Sequence, residues 1–151
     1  MDDTTPVAII GAGPAGLAIA ACLRQAGQDF VLLEKEEQAA PAWRRHYERV
    51  HLHTTKRYSS LPFVPFPREY PRYVPRDLFA SYLDAYAQRF DLRPRFGETV
   101  RAISRRGRSW LVDTTTGPPA RFKRGDRVGQ QRGAADARIC RRRCLQGQKA
   151  A

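Results

Sequence analysis

The chain has 151 residues, which fits one domain with a buried core but is short for an enzyme needing both a nucleotide fold and a substrate region. Its net charge of +12 invites a nucleic-acid reading, yet Arg121 to Ala151 carry ten Lys/Arg against two Asp, a net +8 that leaves +4 for the first 120 residues. The basicity thus belongs to the tail, where no aromatic follows Phe122 to stack on bases, so any polyanion attraction is salt-dependent and unspecific.

The first element is Val7-Ala8-Ile9-Ile10, an apolar run that reads as a short buried strand. Gly11-Ala12-Gly13-Pro14-Ala15-Gly16 follows as G-x-G-x-x-G, and Leu17 to Leu23 continues as a helix ending near Gly27. Strand, glycine turn and helix in that order are the context that gives the motif its meaning. Gly11 allows the tight turn, Gly13 lets a pyrophosphate approach the backbone, and Gly16 lets the helix pack closely on the strand. The helix start then offers N–H groups and the positive end of its dipole to phosphate. Pro14 sits in the first helical turn, where no donor is needed.

Asp29 to Leu33 reads as a second buried strand with Glu34 at its C-terminal end. A carboxylate about 20 residues after the glycines takes ribose hydroxyls and repels a 2′-phosphate, so this site is expected to hold FAD or NAD rather than NADP. The run from Val7 to Leu23 has no charged side chain, but its glycines, its proline and the preceding Asp2-Asp3 argue against a membrane span or a secretory signal. Cys22, Cys140 and Cys144 are an odd count without a signal peptide. Together these features predict a soluble, cytoplasmic chain in a reducing compartment.

From Lys35 to Arg76 the pattern changes to six prolines and many aromatics without a sustained period. So long a loop is more often functional than a linker. Its rings (Trp43, Tyr47, Tyr58, Phe63, Phe66, Tyr70 and Tyr73) either cover something flat or large, or pack on one another. Asp77 opens an amphipathic helix with Leu78, Phe79, Tyr82, Leu83, Tyr86 and Phe90 on one face, an aromatic stripe expected in the core. Thr99 to Ser104 and Ser109 to Thr114 read as two strands of a hairpin around Arg106-Gly107. The expected fold class is α/β: an incomplete Rossmann-like FAD-binding βαβ domain over residues 1–122, with a long aromatic loop, one amphipathic helix and a β-hairpin. Residues 123–151 form a basic tail in which low hydrophobicity and high charge predict disorder.

Trp43-Arg44-Arg45, Leu52-His53-Thr54-Thr55-Lys56, Leu61-Pro62, Pro65-Phe66-Pro67, Tyr70-Pro71, Phe79, Tyr82-Leu83 and Tyr86-Ala87 follow one another in a specific order. In this order, from about Val7 to about Val112, the chain resembles the flavin-containing monooxygenases. It is most similar to their YUCCA-type branch, which converts indole-3-pyruvate to the auxin indole-3-acetic acid. The resemblance implies FAD on the glycine fingerprint, with Gly11, Gly13, Pro14, Ala15, Gly16, Glu34, Lys35, Trp43, His53 and Leu61 as cofactor-binding residues. It places the loop Trp43–Pro67 along the flavin and His53 close to the isoalloxazine; His46 and His51 have no comparable claim. It further implies a small-molecule substrate, O₂, and NADPH as the reductant of the flavin. The cofactor then carries the chemistry while the protein positions the rings and excludes water, so no side chain is assigned as acid, base or nucleophile. Cys140-x-x-x-Cys144 without further ligands is a poor metal site, and no metal is expected.

The last third departs from that family. A second G-x-G-x-x-G for NADPH is absent from the sequence, as are the family's F-x-G-x-x-x-H and V-V-x-A-T-G segments. Lys123 to Gln131 has no strand period. Three readings stay open: the FAD-binding part of a YUCCA-like monooxygenase, inactive by itself; part of another flavoprotein oxidoreductase; or a non-enzymatic nucleotide-binding module. A disulfide reductase would carry a C-x₄-C pair after its second strand, and the loop here has no cysteine. The break is abrupt, and reading Gly125 to Ala137 one nucleotide later permits Gly, Asn and two Pro at the family's spacing. A frameshift is therefore expected to account for the tail.

Overall fold

A computed structural model describes residues 7–107, 109–123 and 129–130. In chain order the elements are β1 (Val7–Ile10), α1 (Pro14–Gln25), β2 (Phe30–Leu33), α2 (Pro41–Arg45), α3 (Lys56–Ser59) and α4 (Arg76–Arg89). β3 (Val100–Arg106), β4 (Ser109–Thr114), β5 (Ala120–Lys123) and β6 (Gly129–Gln130) follow. The first sheet is parallel, in the order β2-β1-β6, and the second is an antiparallel meander, β3-β4-β5. A further parallel bridge, Leu33 with Arg95, extends the first sheet beyond β2.

The continuous apolar character of β1 and β2 follows from the cover on both of their faces. Ala8 and Leu33 pack with Val112 and Phe122 of the meander. Ile9 and Leu32 point the other way, into a core with Leu17 and Ala20 of α1 and Phe79, Leu83 and Tyr86 of α4. The alternation of side chains along each strand thus feeds two separate cores from four-residue strands. Neither α1 nor α4 has a side-chain cap at its N-terminus, where Gly13 and Pro75 stand. Their stability comes from burial instead, about 1.5–3 kcal/mol for each large side chain taken out of water, with Leu17, Leu83 and Tyr86 all nearly inaccessible.

The end of α4 shows a Schellman arrangement: Leu92 N–H donates to Ala87 O at 2.9 Å and Asp91 N–H to Gln88 O at 3.0 Å. Asp91 occupies the left-handed position at φ 46°, where Gly27 stands after α1. Asp77 lies in the first turn of α4, one residue inside its start at Arg76, and its carboxylate accepts the Arg76 guanidinium at 2.7 Å.

The long loop divides its rings between two roles. Its ends close on each other through Leu52 N–H to Val74 O, Arg76 N–H to Val50 O and Lys56 N–H to Arg72 O. Trp43 meets Phe79 edge-on at 4.6 Å, Phe66 lies 4.3 Å from Tyr82, and Tyr70 stacks on Phe66. Tyr47, Tyr58, Phe63 and Tyr73 stay exposed. At the turn Leu61-Pro62-Phe63-Val64, Phe63 has φ 69° and Val64 N–H donates to Leu61 O. With Pro second and a left-handed third residue, this is a type II turn. The Tyr82 hydroxyl accepts Leu61 N–H at 2.8 Å and donates to Val64 O at 2.6 Å, while the Tyr86 hydroxyl donates to Pro62 O at 3.1 Å.

Two sequence expectations change. β5, Ala120–Lys123, was not anticipated. Gly129-Gln130 pairs with Ile9-Ile10 where no strand period is visible, because a two-residue bridge is made by backbone groups alone. Cys140 and Cys144 lie outside the described residues, as does the rest of the tail expected to be disordered. Among the described residues no helix is long and apolar enough to cross a membrane.

Replacing Tyr82 by Phe leaves Leu61 N–H without its acceptor, and an expected loss of about 1–3 kcal/mol should appear as a lower urea midpoint with an unchanged fold. Burial raises the Tyr82 phenol above its ordinary value, with the bond from Leu61 N–H opposing it. Its contribution to stability is therefore complete below about pH 10 and is lost as pH climbs through the raised native value. Tyr82→Phe should remove that part of the alkaline slope.

Candidate functional site

The glycine turn connects β1 to α1, and its geometry separates the roles of its glycines. Gly11 takes φ 96°, a conformation that other residues seldom adopt, and its N–H donates to Leu33 O at 2.7 Å. Gly16 is constrained by space: a Cβ there would lie 1.9 Å from Gly11 O and 3.1 Å from Gly11 C. Gly13 has φ −78° and ψ −177°, extended backbone open to any residue. Local conformation thus gives no reason for glycine at 13. Pro14 and Ala15 open α1, whose first N–H groups have no acceptor within the helix.

Glu34 meets this turn from the end of β2. It is 5% exposed, and its Oε2 accepts Ala12 N–H at 2.7 Å while Oε1 accepts Glu36 N–H at 3.1 Å. A carboxylate has about four lone-pair sites, so roughly two are left for hydroxyl donors. Lys35 is exposed beside it and lies 3.9 Å from Glu36, which Arg45 also pairs at 2.9 Å. The Arg45 guanidinium holds the Glu36 carboxyl below its ordinary range.

The start of α2 is tied to the same turn, because Ala40 N–H donates to Ala12 O at 3.0 Å. Ala40 itself is left-handed, with φ 54°. Arg44 then bridges α2 to α4 by bonding Asp84 at 2.6 Å and Ala39 O at 3.2 Å. Trp43 is held half-buried against Phe79. Thus Gly11, Gly13, Pro14, Ala15, Gly16 and Glu34 form one cluster, with Lys35 and α2 at its border.

His53 and Leu61 belong to the loop. His53 is exposed and lines an open groove of about 500 Å³ with Tyr47, Arg49, His51, Leu52 and Tyr73, none of which is part of the glycine turn or β2. His51, given no weight in the sequence, thus shares the groove with His53, and its Nδ1 lies 2.8 Å from Arg49 O. Leu61 is placed by the Tyr82 hydroxyl, so its N–H is engaged and its half-buried side chain is what remains for a ligand. Ala12 and Glu36 were missed as binding partners of Glu34. Their amides carry no side-chain signature, although Ala12 stands inside the fingerprint.

A family profile described as pyridine nucleotide-disulphide oxidoreductase matches residues 8–120. The chain belongs to this family. Probable indole-3-pyruvate monooxygenase YUCCA10 of Arabidopsis thaliana is 44% identical over 119 residues, covering 75% of this chain and 31% of the relative. Indole-3-pyruvate monooxygenase YUCCA1 of Oryza sativa subsp. japonica is 50% identical over 93 residues, covering 61% and 23%. Among solved structures, a flavin-containing monooxygenase from Stenotrophomonas maltophilia matches with a TM-score of 0.73 at 28% identity, over 80% of this chain and 36% of that one. The resemblance to the YUCCA-type monooxygenases therefore holds, as does the Rossmann-like α/β fold class. The chain spans less than a third of the length of these two curated relatives of the oxidoreductase family.

In Gly16→Ala the added methyl must push α1 away from the Gly11 carbonyl. The expected cost is at least ~2 kcal/mol, read as a lowered thermal midpoint. Gly13→Ala, at ordinary φ and ψ, is expected to leave that midpoint of the ligand-free chain nearly unchanged.

Proposed function

We propose that this chain forms the FAD-binding part of a flavin-dependent, NADPH-dependent monooxygenase acting on a small molecule with O₂, the substrate class being that of the indole-3-pyruvate monooxygenases it resembles. One observation carries the reading: a buried Glu34 carboxylate at the mouth of the glycine turn, bonded to Ala12 N–H and with acceptor sites to spare. The donor set suits the adenosine pyrophosphate half of FAD. The α1 N-terminus with Gly13, Pro14 and Ala15 holds the pyrophosphate, and Glu34 with Lys35 takes the ribose. Glycine at 13, unexplained by conformation, fits a backbone that a phosphate must approach. Trp43, the Leu61 side chain and the groove of His53 serve the isoalloxazine side.

Bound there, the flavin supplies redox and oxygen-activating chemistry. The chain's own residues bind, orient and shield it from water. A second glycine fingerprint is absent from these 151 residues, so NADPH is expected to bind elsewhere in a complete enzyme. Residues 1–122 are read as the FAD-binding part and 123–151 as the product of a shifted frame. A nucleotide sequence whose shifted frame stops early or encodes no second glycine fingerprint would refute the latter.

Refolding the chain with FAD and removing free flavin should leave a yellow, stoichiometric complex, and Gly13→Val should abolish retention. A colourless wild-type chain, or full retention by Gly13→Val, would refute the assignment. Rapid mixing of the loaded chain with NADPH should leave the flavin oxidised. Reduction at a rate comparable with a full-length relative would show that the NADPH site has been misread.

A further inference from the structure

The bond from Ala12 N–H to Glu34 has a consequence for the turn itself. Ala12 N–H and Gly11 C=O belong to one peptide group. The N–H end meets Glu34 Oε2 at 2.7 Å, and the C=O end is the group that Gly16 approaches too closely to admit a Cβ. The next peptide, Ala12–Gly13, is fixed separately by Ala40 N–H on Ala12 O at 3.0 Å. Gly11, at φ 96°, offers little intrinsic resistance to rotation of the plane between them. A buried, charge-assisted acceptor therefore sets the orientation of the one peptide plane whose carbonyl defines how α1 sits on the turn.

We infer that Glu34 is a positioning residue. It locks the Gly11–Ala12 peptide and so holds the glycine turn and the α1 N-terminus in their phosphate-receiving shape before a ligand arrives, besides taking up ribose hydroxyls. The effect on binding rests on the dinucleotide reading above, whereas the peptide lock does not.

Two ligands separate these roles on the full 151-residue chain: ADP, which carries ribose hydroxyls, and 2′,3′-dideoxy-ADP, which carries none. A residue that served only as a hydroxyl acceptor would not matter for the dideoxy ligand. Removing a negative charge near a diphosphate would by itself tighten binding. Glu34→Met, which removes the acceptor, should instead weaken 2′,3′-dideoxy-ADP by about tenfold or more in isothermal titration. Glu34→Gln, which keeps one oxygen and guards against a variant that fails to fold, should weaken it by a smaller factor. In the ligand-free protein the Ala12 amide should be protected from hydrogen exchange and lose that protection in Glu34→Met. Dideoxy-ADP affinity unchanged or improved in both variants, or an Ala12 amide that exchanges alike in wild type and Glu34→Met, would overturn the inference. Failure of the wild-type chain to bind either nucleotide would sink the dinucleotide reading instead, while the amide measurement still decides the lock.

Discussion

The contact between Gly16 and the Gly11 carbonyl is the constraint on which the rest of the structure depends. A methyl group at 16 would sit 1.9 Å from that oxygen, so helix and turn are closer than any other residue would allow. Helix-dipole and N–H effects fade within the first turn, and this closeness brings them up to the glycine turn. It also seats Leu17 and Ala20 on Ile9 and Leu32, which makes the same short helix the wall of the main core. The packing of the core and the approach of the α1 N-terminus to the glycine turn thus share one geometric requirement.

Around that centre, charge and hydroxyl groups set the position of backbone that has no regular structure of its own. Glu34 orders the turn, Arg44 ties α2 to Asp84 on α4, and the tyrosines of α4 tie the loop at residues 61–64. α4 thereby serves twice. Its rings fill the core, and the hydroxyls at the ends of two of those rings reach half-buried backbone groups of the loop and supply them with partners. An aromatic stripe read from the sequence as core material alone is also the scaffold of the loop.

Much of this was legible in the residues, and the parts that were not share a physical cause. β1, α1 and β2 could be read because the glycines and the apolar alternation report constraints local to a few residues. α4 and the β3–β4 hairpin declared themselves by period. β5 was lost against its charged neighbours, and the pairings of β6 with β1 and of Arg95 with Leu33 are made by backbone groups that leave no mark on side-chain pattern. The split between inner and outer rings was equally hidden, since Phe63 itself holds the left-handed position of its turn and stays exposed while Phe66 is buried. At the site, the glycines and Glu34 could be picked out, while the amides of Ala12 and Glu36 could not.

The type II turn at Leu61–Val64 has a dynamic side. Rotation of its central peptide by about half a turn would convert it to type I and carry Phe63 out of the left-handed region. That central peptide owns the Pro62 carbonyl, which is the group the Tyr86 hydroxyl grips at 3.1 Å. The phenol therefore fixes the plane of that peptide from the core side, and with the two bonds of the Tyr82 hydroxyl at Leu61 and Val64 it holds the orientation that keeps Phe63 left-handed and its ring at the surface.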